Sequence, residues 1–279
     1  MSQTLSDRLE RAAGILRQCE SVVIGFSGGV DSALVARLAR DALGAGRVLA
    51  VTGLSAAVPE VQRRAARAFA ADQGIAHLEL ATSELERPGY VRNDGDRCYH
   101  CKSELWPTLA AIARERGYRS VVDGANADDR ADYRPGARAA LERAVRSPLA
   151  EAGIDKAGVR AASRTLGLDT WDAPAAPCLA SRLAYGVRVS EERLAHVERA
   201  EDGLRALGFR EFRVRHHGDC ARVELAPPEL DAGVARAAEI ASAVRRAGFG
   251  RVMLDVEGYR RGALNEALPL VTLAAGRVA

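Results

Sequence analysis

Val22-Val23-Ile24-Gly25-Phe26-Ser27-Gly28-Gly29-Val30-Asp31-Ser32 is the stretch that decides the fold. An apolar run enters Ser-Gly-Gly-Val-Asp-Ser, and an alanine-rich helical pattern follows. Adjacent glycines after a strand let the backbone turn tightly and approach a ligand closely. The helix opening at Ser32 presents unpaired N–H groups and the positive end of its dipole to the loop. That arrangement holds phosphate oxygens. The loop is not of the Walker type, because no Gly-Lys-Ser/Thr closes it.

Working outward, further strands are expected at 48–52, 77–82 and 120–123, and helices at 5–19, 32–43, 59–74, 101–116 and 155–166. Residues 83–97 are polar, carry Pro88, Gly89, Asn93 and Gly95, and read as a loop over a site. Strands alternating with helices predict an α/β fold with a doubly wound parallel sheet. Ligands bind such sheets beyond the carboxyl ends of the strands. Ser27-Gly28-Gly29, Thr52-Gly53 and Asp123-Gly124-Ala125-Asn126 are therefore expected on one rim, around one nucleotide. The pattern changes near Tyr185-Gly186. A helix is expected at 190–207, two strands at 212–215 and 221–225 around His216-His217-Gly218-Asp219, a helix at 229–247 and a strand at 251–256. The reading is a nucleotide domain over 1–186 and a smaller α+β domain over 187–279.

The chain has 279 residues, 48% apolar, enough for a sizeable core. Net charge is only +3, so composition gives a nucleic-acid partner no support. Lys102 and Lys156 are the only lysines among 40 Lys and Arg, so a lysine at a motif position carries more weight than an arginine. No signal segment and no apolar run of membrane length is visible, and a soluble, cytoplasmic protein is expected. Five cysteines, an odd number, do not suggest a disulfide framework.

Arg97-Cys98-Tyr99-His100-Cys101-Lys102 contains a Cys-x-x-Cys, which alone is compatible with half a zinc site, a redox pair or part of an iron–sulfur site. Cys19 and Cys220 lack partners at ligand spacing and read as small buried hydrophobes. Cys178 lies in Pro177-Cys178-Leu179-Ala180-Ser181-Arg182, a segment that Pro174 and Pro177 hold extended. A thiol beside a cation and bound phosphate has reason to ionise. Three cysteines on a [4Fe–4S] cluster leave one iron open to carry a sulfide.

Ser-Gly-Gly-x-Asp-Ser resembles the PP-loop of ATP pyrophosphatases, which split ATP between the α and β phosphates and adenylate a substrate. The chain as a whole resembles the LarE family of ATP-dependent sulfur transferases. The likeness runs through the loop, Asp123-Gly124-Ala125-Asn126-Ala127-Asp128-Asp129, Asp132-Tyr133-Arg134-Pro135-Gly136, Pro177 to Arg182, Arg213-Val214-Arg215 and Ala221 to Leu225. It implies that the carboxylates of pyridinium-3,5-biscarboxylic acid mononucleotide, a small-molecule substrate, are adenylated and then converted to thiocarboxylates for the nickel-pincer nucleotide cofactor. In one branch, the cysteine at the Cys178 position surrenders its sulfur. In another, three cysteines hold a [4Fe–4S] cluster supplied by a sulfide donor, and Cys98, Cys101 and Cys178 match that branch.

The resemblance also implies roles. Ser27, Gly28, Gly29, Asp31 and Ser32 hold the pyrophosphate of ATP and its Mg²⁺, with Gly124 and Asn126 on the same nucleotide. Cys178, Asp31 and Lys102 serve catalysis. Ser181, Arg182, Arg213, Arg215 and Glu224 bind substrate, Arg213 and Arg215 from one strand face. Asp128, Asp129, Asp132 and Arg134 shape the site. His216 and His217 read as solvated at a hairpin tip. A homo-oligomer is expected. The rivals are a tRNA thiolase, which needs a basic face or zinc-ribbon cysteines not seen here, a glutamine-dependent synthetase, which needs a glutaminase unit, and a non-catalytic ATP-binding module.

Overall fold

Val22–Gly25 forms the first strand, β1, and every residue of its apolar run is buried until Gly25. The computed structural model describes residues 4–130, 135–174 and 177–260. Elements follow the sequence closely: α1 (Leu5–Gln18), β1, α2 (Val30–Leu43), β2 (Val48–Leu54), α3 (Glu60–Asp72), β3 (Ala76–Ala81), α4 (Pro88–Val91), α5 (Arg97–Glu115), β4 (Ser120–Val122), α6 (Pro135–Leu141), α7 (Pro148–Glu151), α8 (Lys156–Thr165), α9 (Glu191–Ala206), β5 (Phe212–His217), β6 (Cys220–Leu225), α10 (Leu230–Ala235), α11 (Ala237–Arg246) and β7 (Arg251–Leu254). Segment 83–97, expected as a loop, instead makes a 3₁₀ turn at Glu84–Glu86 and the one-turn α4, which Pro88 starts at a position needing no N–H.

The first sheet is parallel throughout, in the order β3-β2-β1-β4. Strands buried on both faces need continuous apolar runs. Side chains of β1 alternate between two cores. Val22 and Ile24 join Ala12, Leu16, Leu34 and Val159 on one side. Val23 joins Leu49, Val51, Trp106 and Leu109 on the other. Gly25 is required where β1 crosses α5, since a Cβ there stands 2.7 Å from the Trp106 ring.

The second sheet has the order β5-β6-β7, with β5 and β6 antiparallel and β7 parallel to β6. Gly218, at φ +73°, makes the hairpin turn. The core under this sheet draws Leu194, Val197 and Leu204 from α9 and Ile240 and Val244 from α11. It also takes Leu179, Ala180 and Leu183, together with Ala57 and Tyr90. The Cys178 segment is thereby tied to the loop after β2 and to β5: Leu179 N–H donates to Ala57 O at 2.7 Å, and Ala184 N–H donates to His216 O at 3.1 Å.

His216 departs from expectation. It is 3% exposed, not solvated, because β5 runs to His217 and its alternation turns His216 inward against Phe249 and His196. Burial, then Arg193 and His196, lower its pKa to about 4, with His217 adding to this and Glu192 opposing it. The folded protein therefore binds fewer protons than the unfolded chain between pH 6.5 and 4. The neutral imidazole contributes stability above pH 6.5 that is lost as pH falls towards 4. His216→Phe is expected to flatten that part of the Tm–pH profile, measured by calorimetry.

Candidate active site

The glycine loop has the geometry that its composition predicts. Gly28 sits at φ +73°, and a Cβ there meets the Ala66 Cβ of α3 at 3.0 Å. Gly29 is the N-cap of α2 and supplies no side-chain cap. The first amides of α2 thus lack intrahelical acceptors and point out of the loop. Ser32 Oγ donates to Gly29 O at 3.0 Å and lies 3.2 Å from Ser27 Oγ, while Gln62 Nε2 donates to Ser27 O at 2.8 Å. The loop is held in shape before any ligand arrives.

Behind it stands the end of β4. A Cβ on Gly124 lies 2.8 Å from Ser32 N and 3.0 Å from its Cα, and backbone cannot yield as a flexible side chain can. Gly124→Ala is expected to displace the start of α2, costing about 1–3 kcal/mol by overpacking. A lower Tm and a weaker ATP Kd by calorimetry check this. Asn126 Nδ2 donates to Asp31 Oδ1 at 3.0 Å, and Asn126 N–H donates to Asp129 Oδ2 at 3.1 Å. Asp128 Oδ2 accepts from Lys156 N–H at 3.0 Å. Lys156 Nζ lies 2.5 Å from Asp31 Oδ2. Asp132 and Arg134 lie outside the described residues. Mg²⁺ keeps waters and takes one or two carboxylates plus substrate phosphates. Asp31, facing the open amides of α2, fits that demand once Lys156 yields one oxygen.

The thiols form a second region. Cys98 and Cys101 lie in the first turns of α5, and Cys178 precedes a 3₁₀ turn at Leu179–Arg182. All five cysteines are free. Cys98 is solvent-accessible on one side, with protein packed round the rest of its thiol. Cys98, Cys101 and Cys178 sense one another's charge. Burial raises the Cys98 pKa and pushes that of Cys101 up to about 12, so both stay protonated at neutral pH. Among the described residues no three His, Cys, Asp or Glu side chains stand at metal-holding spacing. The trio as arranged therefore does not fit a cluster. Lys102 lies between this region and the loop rim. Its charge acts on both thiols of α5 and on the buried Asp123, and its Nζ sits 4.6 Å above the Trp106 ring. Gly136 of α6 packs against Lys102 and Cys98.

The third region is cationic. Arg182, Arg213 and Arg215 are 3%, 6% and 6% exposed. Arg182 Nε donates to Glu201 Oε1 at 2.9 Å, and its Nη1 donates to Cys178 O at 3.3 Å. Arg215 donates to Glu224 Oε2 at 2.9 Å and to Ser181 O at 3.0 Å. Glu224 also accepts from Arg222 at 2.8 Å. Burial and then Arg182 depress the pKa of Arg213, whose guanidinium lies 4.6 Å over the Tyr259 ring. Three buried arginines against the two buried carboxylates of Glu201 and Glu224 leave an excess of positive charge that suits an anionic ligand.

A family model for NAD synthase matches residues 5–89, the part holding the loop. The chain is 34% identical over 272 residues to the pyridinium-3,5-bisthiocarboxylic acid mononucleotide synthase of Lactiplantibacillus plantarum, covering 97% of this chain and 98% of that protein. The chain belongs to the LarE family. It is also 44% identical to an uncharacterized protein of Synechocystis sp. over 95% of its own length and 99% of the relative's. A protein of Methanocaldococcus jannaschii, also uncharacterized, is 26% identical over 86% of this chain and 91% of its own. As a LarE-family enzyme the chain is an ATP-using sulfur transferase built on a PP-loop domain. Sequence reasoning missed three residues of this site. Lys156 was visible as a rare lysine, but nothing linked it to Asp31. Glu201 reads as an ordinary helix carboxylate, and Arg97 is one arginine among many. No helix among the described residues is long and apolar enough to cross a membrane.

Proposed function

We propose that this enzyme adenylates the carboxylates of pyridinium-3,5-biscarboxylic acid mononucleotide and replaces the adenylate oxygen with sulfur, making thiocarboxylates for a nickel-pincer nucleotide. The observation that supports the reading is the Cys178 turn, whose Leu179 N–H donates to Ala57 O in the loop after β2 and whose Ser181 O accepts from the buried Arg215. In this reading one ligand, an anionic nucleotide with a carboxylate at its far end, spans the phosphate loop, the thiols and the arginines.

In this reading Ser27, Gly28, Gly29, Ser32 and the amides of α2 bind pyrophosphate, while Gly124 and Asn126 back the loop. Asp31 would hold Mg²⁺, which would offset the charge of the departing pyrophosphate. Lys102 offsets charge at the α-phosphate as the substrate carboxylate attacks it. Arg182, Arg213, Arg215 and Ser181 bind the mononucleotide phosphate, and Glu224 fixes Arg215. Cys178 then attacks the acyl adenylate, and AMP leaves with the electron pair of the broken C–O bond. Cys98 and Cys101 handle sulfur beside it. Assembly of a [4Fe–4S] cluster requires the three thiols to draw together. Iron and acid-labile sulfide in anaerobically purified protein, with and without Cys98→Ala, test that part. The working boundary between a nucleotide domain and a substrate domain is placed at residue 186, and cytoplasmic residence with homo-oligomers is the setting.

Incubation with ATP, Mg²⁺ and the dicarboxylate mononucleotide is expected to release AMP and pyrophosphate in equal amounts, and to release neither without the mononucleotide. Release driven by tRNA instead favours the thiolase reading.

A further inference from the structure

Arg97 is the first residue of α5 and is 5% exposed. Its Nη1 donates to Ala180 O at 2.9 Å and to Asn93 Oδ1, both neutral acceptors. Among the described residues its Nε is buried without a hydrogen-bond partner. Burial acts on its charge first, then Cys178 and Cys98, followed by Tyr90 and Tyr185, and among the described residues no carboxylate forms an ion pair with it. A buried charge without a counter-ion is costly, so a site that keeps one is built for an anion. The helix adds its dipole but few free donors: α5 is 19 residues long, and the amides of Arg97, Tyr99 and His100 already donate to Asp94 O and Asp96 O. Cys98 follows Arg97 directly on α5, and through Ala180 O Arg97 fixes the turn that carries Cys178.

Small size is the next constraint. The cation is buried among thiols and phenols, and Arg182, Arg213 and Arg215 form a separate buried cluster, partly paired with Glu201 and Glu224. A compact, weakly hydrated sulfur anion suits such a place better than an oxyanion, which needs several donors.

We propose that Arg97 and the first turn of α5 bind hydrosulfide beside Cys178, and that this hydrosulfide resolves an acyl thioester on Cys178. The proposal rests on the function given above. Cys178 sulfur bonds to the acyl carbon and AMP departs with the C–O electron pair. The hydrosulfide sulfur then bonds to the same carbon, the bond to Cys178 sulfur breaks, and Cys178 leaves as thiolate. The S–H proton of the new thiocarboxylic acid passes to water. Nothing is oxidised or reduced, and Cys178 is regenerated.

The test supplies [³⁴S]sulfide anaerobically with ATP, Mg²⁺ and the dicarboxylate mononucleotide. The expected result is more than one product per protein, ³⁴S in the product and Cys178 of unchanged mass. Arg97→Gln is expected to raise the KM for sulfide about tenfold, with each sample normalised to its amplitude of Cys178 acylation, and Arg97→Lys to restore most of the loss. Product sulfur drawn only from Cys178, or an unchanged KM in Arg97→Gln, overturns the proposal. A second readout needs neither turnover nor a variant. The rate ratio of iodoacetate to iodoacetamide at Cys178 is expected to be several-fold higher in the folded protein than in urea, and added sulfide is expected to lower it. An equal ratio overturns the anion site. A raised ratio in protein that releases no pyrophosphate keeps the anion site and removes the proposed function instead.

Discussion

Cys178→Ala is expected to lower thiocarboxylate formation by about three orders of magnitude or more, the scale lost when a covalent nucleophile is removed. The first burst of pyrophosphate is expected to survive, because the loop, Asp31 and Lys102 are untouched. Alanine at this position loses the thiol and little else. Cys178 is half-buried, and its backbone makes the contacts that hold the turn: its carbonyl accepts from Ser181 N–H at 2.9 Å and from Ser181 Oγ at 2.7 Å. The turn therefore keeps its shape in the variant. Rapid-quench measurement of AMP, pyrophosphate and product separates the two half-reactions. Loss of the pyrophosphate burst along with the product places Cys178 in ATP binding instead.

Glu201→Gln is expected to destabilise the protein by about 3–5 kcal/mol, the cost of stranding a buried charge. Glu201 is 1% exposed. Its Oε1 accepts from Arg182 Nε at 2.9 Å and from Val214 N–H at 3.4 Å, and its Oε2 accepts from Arg205 at 3.4 Å. One carboxylate thus joins α9 to β5 and to the Cys178 turn. Glutamine keeps the shape and removes the charge, leaving Arg182 in a cluster with Arg213 that already resists charging. For a chain of this size the Tm is expected to fall by roughly 10 °C. The KM for the mononucleotide is expected to rise in the same variant, because Arg182 loses the partner that orients it. Arg182→Met combined with Glu201→Gln is expected to recover part of the stability but none of the substrate affinity. Chemical denaturation of the four proteins of this cycle gives the coupling energy.

Much of the fold is legible because both signals are local. The runs Val22–Ile24 and Val48–Val51 are continuous and apolar, as a twice-covered parallel strand requires, and helices end at Gly44, Gly74 and Gly117, all at positive φ. The loop is equally legible, since Gly28 and Gly124 stand where backbone or a neighbouring Cβ leaves no room for a side chain. Other features depend on distance in space. Segment 83–97 looks irregular in sequence, yet Tyr90 and Asn93 are buried, and Asn93 Nδ2 donates to Ala184 O at 2.8 Å and Val187 O at 2.9 Å. Its shape is set by chain about 90 residues away. Arg97 meets Ala180 and Lys156 meets Asp31 across comparable stretches of chain, Glu201 meets Arg182 and Val214 in other elements, and a composition this rich in arginine hides the arginines that matter. His216 escaped for another reason: a hairpin signal says where the chain turns and not which histidine faces the core.

The most direct test of one pocket for ATP, substrate and thiol is the mass of the peptide bearing Cys178 after reaction with ATP, Mg²⁺ and the dicarboxylate mononucleotide in the absence of any sulfur donor. The predicted result is an ATP-dependent change confined to Cys178, either a gain of the substrate acyl group or the loss of its sulfur. An unmodified Cys178 in protein that has released pyrophosphate contradicts the account.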